Sequence, residues 1–145
     1  MSQRGLLWPG MATALRTGLS YFAIVFGIAF LFGTVRTLVL EPRLGEAAVL
    51  VELPIIVGAS WAVARALLWR RRFSLTQRAV VGGSAFALTM LAEIVLAWLM
   101  RGQDPAAWAA DVATPIGLAG LAGQVAFGVM PLLVRRPLPS AEQAG

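Results

Sequence analysis

The stretch LEPRLGEAAVLVELP, Leu40 to Pro54, places Glu41, Arg43, Glu46 and Glu52 between two of the most apolar runs in the chain. An ionised side chain among acyl tails costs on the order of 1–3 kcal/mol or more. The stretch is therefore read as a turn at a membrane surface, with Glu52 as the one member that reaches below it. That reading makes the flanking runs separate crossings.

The composition supports it. Of 145 residues, 59% are hydrophobic and 13% charged, and the mean hydropathy is +0.78, whereas about a quarter of the residues of a soluble domain are charged. An all-α integral membrane protein is expected, a single domain over 1–145 built as a bundle of four transmembrane helices. The apolar runs predict helices over about 17–40, 47–69, 79–100 and 112–134, each near the ~20 residues needed to cross a hydrocarbon core. Polar tails are expected at 1–15 and 135–145. The first run, Thr17 to Val35, exceeds a usual signal-peptide core and has no A-x-A-like site after it, so it is read as a retained helix. Pro54 either opens the second helix or interrupts it beside Glu52.

All twelve basic residues are arginine, with no lysine, histidine or cysteine. Schiff-base, imidazole and thiolate chemistry are thereby excluded, together with histidine or cysteine metal sites. No Walker A loop, dinucleotide fingerprint or nucleophile elbow is present, and the glycine-rich GLAGLAG of the last run lacks the lysine of a phosphate loop. No catalytic, cofactor-binding or metal-ligating residue is expected, no cofactor, and no nucleic-acid partner despite the net charge of +5.

Arginine placement sets the orientation. Arg4, Arg16, Arg70, Arg71, Arg72, Arg78, Arg135 and Arg136 fall on one face, and Arg43 and Arg101, diluted by acids, on the other. Both termini are expected in the cytoplasm, and Arg70, Arg71 and Arg72 are expected to meet anionic lipid. A shift of 65 positions aligns Arg36 with Arg101, Gly58 with Gly123, and Arg70-Arg71 with Arg135-Arg136. Either two hairpins arose by duplication, or the positive-inside rule alone aligns their ends.

At a rise of about 1.5 Å per residue, Arg36, Glu52 and Glu93 fall roughly 5–10 Å inside the outer boundary. The least costly arrangement turns both acids inward with Arg36 bridging them, and Arg43 is an alternative partner for Glu41, Glu46 or Glu52. Such a cluster is either a static clamp or a carboxylate site for a proton, a cation or an amine. On the fourth helix Gly117, Gly120, Gln124, Gly128 and Pro131 share a side, as small residues do where helices approach closely, within the chain or against a partner.

At Gly33, Arg36, Leu40, Pro42-Arg43-Leu44-Gly45, Ala48 and Glu52-Leu53-Pro54 the chain resembles a group of small, uncharacterised four-helix proteins of the bacterial inner membrane. The resemblance implies that fold and location and brings no activity, catalytic residue or cofactor. Small multidrug carriers also have four helices and one embedded glutamate, but in the first helix, where this chain has none. The sequence alone favours a non-enzymatic accessory or assembly subunit of a larger membrane complex, which would meet other subunits or copies of itself through helix faces. A small oligomeric proton- or cation-coupled transporter or channel using the embedded carboxylates is the alternative.

Overall fold

Glycine punctuation and side-chain caps divide the chain into helices. The computed structural model describes residues 4–134, with side chains from residue 10 onward. Helix α1 is Arg4–Val35; a π-helical turn, Arg36–Leu40, leads to the single-turn α2, Glu41–Leu44, and a 3-10 turn, Gly45–Ala47. Then follow α3, Ala48–Leu68; α4, Leu75–Arg101; α5, Pro105–Val112; and α6, Pro115–Leu133. The described residues contain no strand.

Three stretches among them are long and apolar enough to cross a membrane: Gly10–Leu68, Leu75–Arg101 and Pro115–Leu133, each containing an 18-residue window with a mean hydropathy of 2.1, 1.9 and 1.8 respectively. The first contains both α1 and α3. The chain turns back at Gly45, whose φ of 58° with ψ of −149° suits glycine alone, and α3 returns along α1. Helix α1 packs on α3 and α4, and α6 packs on the same two, so the long helices close a ring with α1 and α6 on its diagonal.

The caps are local and readable. Ser74 Oγ accepts from Gln77 N (3.2 Å) while Gln77 Oε1 accepts from Ser74 N (2.9 Å), a reciprocal box at the start of α4. Gly102, at φ 64°, ends that helix in the left-handed conformation. Asp104 and Thr114 cap α5 and α6, each followed by a proline at the first helical position. Arg78 donates to the Val134 carbonyl, tying the end of α6 to the start of α4.

Several boundaries differ from expectation. Helix α1 begins at Arg4, so the segment read as a polar tail is helical from there on. Its 32 residues rise about 48 Å, well beyond a ~30 Å hydrocarbon core. Packing rather than membrane thickness extends it: Ala14 is fully buried, Gly10 lies against the Gln77 side chain, and a Cβ on Gly18 would stand 2.9 Å from the Val81 carbonyl. Helix α4 starts four residues before the expected position because its cap is Ser74. The loop before α6 contains α5, which was not foreseen. Pro54 lies inside α3, not at its start. The tail 135–145, with Arg135 and Arg136, and the side chains of Arg4 and Trp8 lie outside the described residues.

The contiguous core sits at the arginine-rich end, around Tyr21, Leu68, Val81, Ala85 and Phe127. Tyr21 is fully buried, stacks on Phe127 (centroids 4.5 Å apart, planes 21° apart) and donates its hydroxyl to the Phe127 carbonyl at 3.0 Å. That carbonyl would take the N–H of residue 131 in an unbroken helix, but residue 131 is proline. Tyr21 supplies the missing donor from across the bundle. Between the neighbouring helices α4 and α6, a Cβ on Gly82 would fall on the Gly128 carbonyl oxygen, and one on Gly128 would lie 3.1 Å from Phe86 Cβ. The backbones of α4 and α6 touch there with no side chain between them.

Candidate functional site

Beyond the Tyr21–Phe127 layer the four long helices separate, and a cavity of about 340 Å³ opens among them. Its walls are mainly apolar and include Phe26, Phe30 and Phe127, while its polar groups are Arg36, Glu52, Thr89, Glu93 and Gln124. Glycines make room for it. A Cβ on Gly120 would meet nothing within 4 Å, and one on Gly33 would stand 3.9 Å from Glu52 Oε1.

Arg36 enters from the π-helical turn. Its Nε lies 2.8 Å from Glu52 Oε2 on α3, and its Nη1 donates to Glu41 Oε1 at 3.0 Å. The Nε–H is not aimed at the Glu52 oxygen, so this contact is ionic without a directed hydrogen bond. Arg36 and Glu52 are partly sheltered, with side chains 25% and 15% exposed. The guanidinium therefore holds two carboxylates, both from the first hairpin.

Glu93 is placed differently. On α4, it accepts a hydrogen bond from Gln124 Nε2 of α6 and makes no ion pair among the described residues. The expected bridge from Arg36 to both embedded acids is thus corrected: Arg36 takes Glu52 and Glu41, and Gln124 takes Glu93. The reason is rotational. The wide π turn directs Arg36 along its own hairpin, where Glu41 is five residues on, whereas Glu93, about three turns beyond Gly82 on α4, and Gln124, about one turn before Gly128 on α6, meet across the contact between those two helices. Arg43, the alternative partner, makes no ion pair among the described residues.

The other residues singled out from the sequence fall in three places. Gly120 and Gln124 line the cavity. Gly128 belongs to the α4–α6 contact, and Gly117 abuts the end of α5, where a Cβ would stand 2.7 Å from Val112 Cα. Arg70, Arg71 and Arg72 are exposed in the turn between α3 and α4, with Arg71 5.9 Å from the Phe73 ring. Thr89 shares the Glu93 face of its helix by spacing, whereas sequence reasoning missed the cavity phenylalanines and Glu41 as a partner of Arg36. An i, i+5 spacing announces a π turn only once the turn is known, and the phenylalanines look like any lipid-facing aromatics. No group of acids suited to a metal ion occurs among the described residues.

Compared with protein-family models, with curated proteins and with solved structures, the chain finds no match in any of the three.

Proposed function

We propose that this chain is a four-span protein of the bacterial inner membrane, both ends in the cytoplasm, that acts as a small carrier for an apolar cation such as an amine or a quaternary ammonium ion. The observation that carries the reading is Glu93: a carboxylate on the wall of a mainly apolar cavity, held by a neutral amide and lacking a basic partner among the described residues. An embedded ionisable group that forms no ion pair marks a functional site more often than a structural one. The phenylalanines in the cavity wall suit a cation, which aromatic rings attract, and about 340 Å³ matches the lower end of ligand pockets. The dense core beneath supports a site reached from one side only. Two hairpins of alternating direction and the arginine count support the topology, and the resemblance of the first hairpin supports the membrane.

The cavity beside Glu93 favours the carrier over an accessory or assembly subunit of a larger complex. The test is calorimetric titration of the purified protein in detergent with benzyltrimethylammonium and with its uncharged carbon isostere. The cation is expected to bind at least ten times more tightly, and Glu93→Gln to remove the difference. Equal affinity for the two, or no binding, overturns the proposal, and a stoichiometric foreign protein co-purifying with a chain that binds neither returns the reading to a subunit.

A further inference from the structure

At the opposite end of the molecule, on the outer surface of α3, Trp61, Arg65 and Trp69 follow one another at intervals of four residues and so share one helix face. The Arg65 guanidinium lies 5.2 Å from the Trp61 ring centroid and 4.2 Å from that of Trp69, so it sits between two indoles. Ala62 and Ala66 form the low floor of an open groove of about 400 Å³ beside it, and Arg70 stands at its end. Both tryptophans are exposed, at 45% and 37%.

The charge here is uncompensated. Among the described residues no acceptor bonds Arg65 and no carboxylate pairs with Arg65 or Arg70. The sequence has no acid between Glu52 and Glu93, and the described acids cluster at the other end of the bundle. Proximity to the α3 C-terminus is favourable to a cation, which accounts for one arginine in this region. It does not account for two indoles that hold the guanidinium in place with its donors unused. Arg65 lies five residues, about 7.5 Å along the axis, before the arginine turn, the depth of the phosphate and glycerol groups when that turn lies among head groups.

We infer that this groove is a binding site for one anionic glycerophospholipid, its phosphodiester held by Arg65 and Arg70 and its glycerol and first acyl carbons lying over Ala62 and Ala66 between the two indoles. A stacked guanidinium meets a phosphate through two parallel donors, which lysine cannot reproduce. This site differs from diffuse attraction of anionic lipid to the turn at Arg70, Arg71 and Arg72: it binds one molecule and depends on Arg65. It is independent of the cavity.

Native mass spectrometry of the detergent-solubilised protein tests it, with phosphatidylglycerol and phosphatidylcholine at equal concentration in 0.5 M salt. One phosphatidylglycerol per chain is expected to remain, at least tenfold over phosphatidylcholine. Arg65→Gln and Arg65→Lys should each reduce retention at least fivefold, while Arg72→Gln leaves it unchanged; thermal melts of the same samples verify folding. Retention lowered equally by Arg72→Gln and Arg65→Gln would mean diffuse charge and overturn the site. So would loss of the lipid on adding millimolar inorganic phosphate, which would mark a site for a free anion, or the absence of retained lipid from the native chain.

Discussion

Tyr21 on α1 donates its hydroxyl to the Phe127 carbonyl on α6, the acceptor that Pro131 leaves without an intrahelical donor. A proline that would be a defect in an isolated helix here frees the acceptor of a cross-bundle bond, which joins α1 and α6 across the diagonal of the ring.

Removing that hydroxyl isolates the effect. Tyr21→Phe keeps the stacked ring and leaves a buried carbonyl unsatisfied, a loss of about 1–3 kcal/mol. In a Pro131→Ala background residue 131 regains its N–H, and the same change is expected to cost less than half as much. Unfolding in a detergent–denaturant series for the four chains of this cycle measures the coupling.

Adjacent glycines on α4 have opposite surroundings. Gly82→Ala drives a methyl into the Gly128 carbonyl and should destabilise by roughly 1–3 kcal/mol as the helices are forced apart. Gly83 has nothing within 4 Å of an added Cβ, so Gly83→Ala should be neutral or stabilising by up to about 1 kcal/mol. Paired thermal melts decide it.

Arg36 neutralises Glu52 at 2.8 Å in a partly sheltered setting. Arg36→Met alone strands that carboxylate and is expected to cost about 1–3 kcal/mol, whereas Arg36→Met with Glu52→Met should recover at least half of the loss, because a pair replaced by apolar groups leaves no buried charge behind. Equal losses from the single and double variants in chemical denaturation would show that the pair does not act as a unit.

Since the chain contains no cysteine, the cavity can be probed without background. Gly120→Cys should react at least ten times faster with a small water-soluble thiol reagent than Ala85→Cys in the closed core. If Glu93 is ionised and unpaired, a cationic reagent outruns an anionic one of the same size at position 120, and Glu93→Gln brings the two rates together.

Much of this was legible in the sequence, and the exceptions share a cause. The turn around Gly45, the apolar lengths and the small residues of α6 are local patterns, and the helices lie near where those patterns put them. Glu93 stands out in the sequence by its depth and Gln124 by its place among glycines, yet their pairing depends on how α4 and α6 are rotated about their axes. Periodicity marks a face and leaves its rotation against a neighbour open. Tyr21 and Phe127 lie 106 residues apart, and no pattern in either segment points to the other. The start of α1 was hidden because Arg4 and Arg16 resemble a flanking tail, while the signal that extends the helix is a fit of Gly10 and Gly18 against α4.

The touching backbones of α4 and α6 have a mechanical consequence. With no side chain between them to yield, these two helices resist sliding and behave as one plank near Gly82 and Gly128. Helix α1 is fastened to that plank through Gly18 and Tyr21 at the core end, so the give in the bundle is left to the far end of the α1–α3 hairpin, around Gly45.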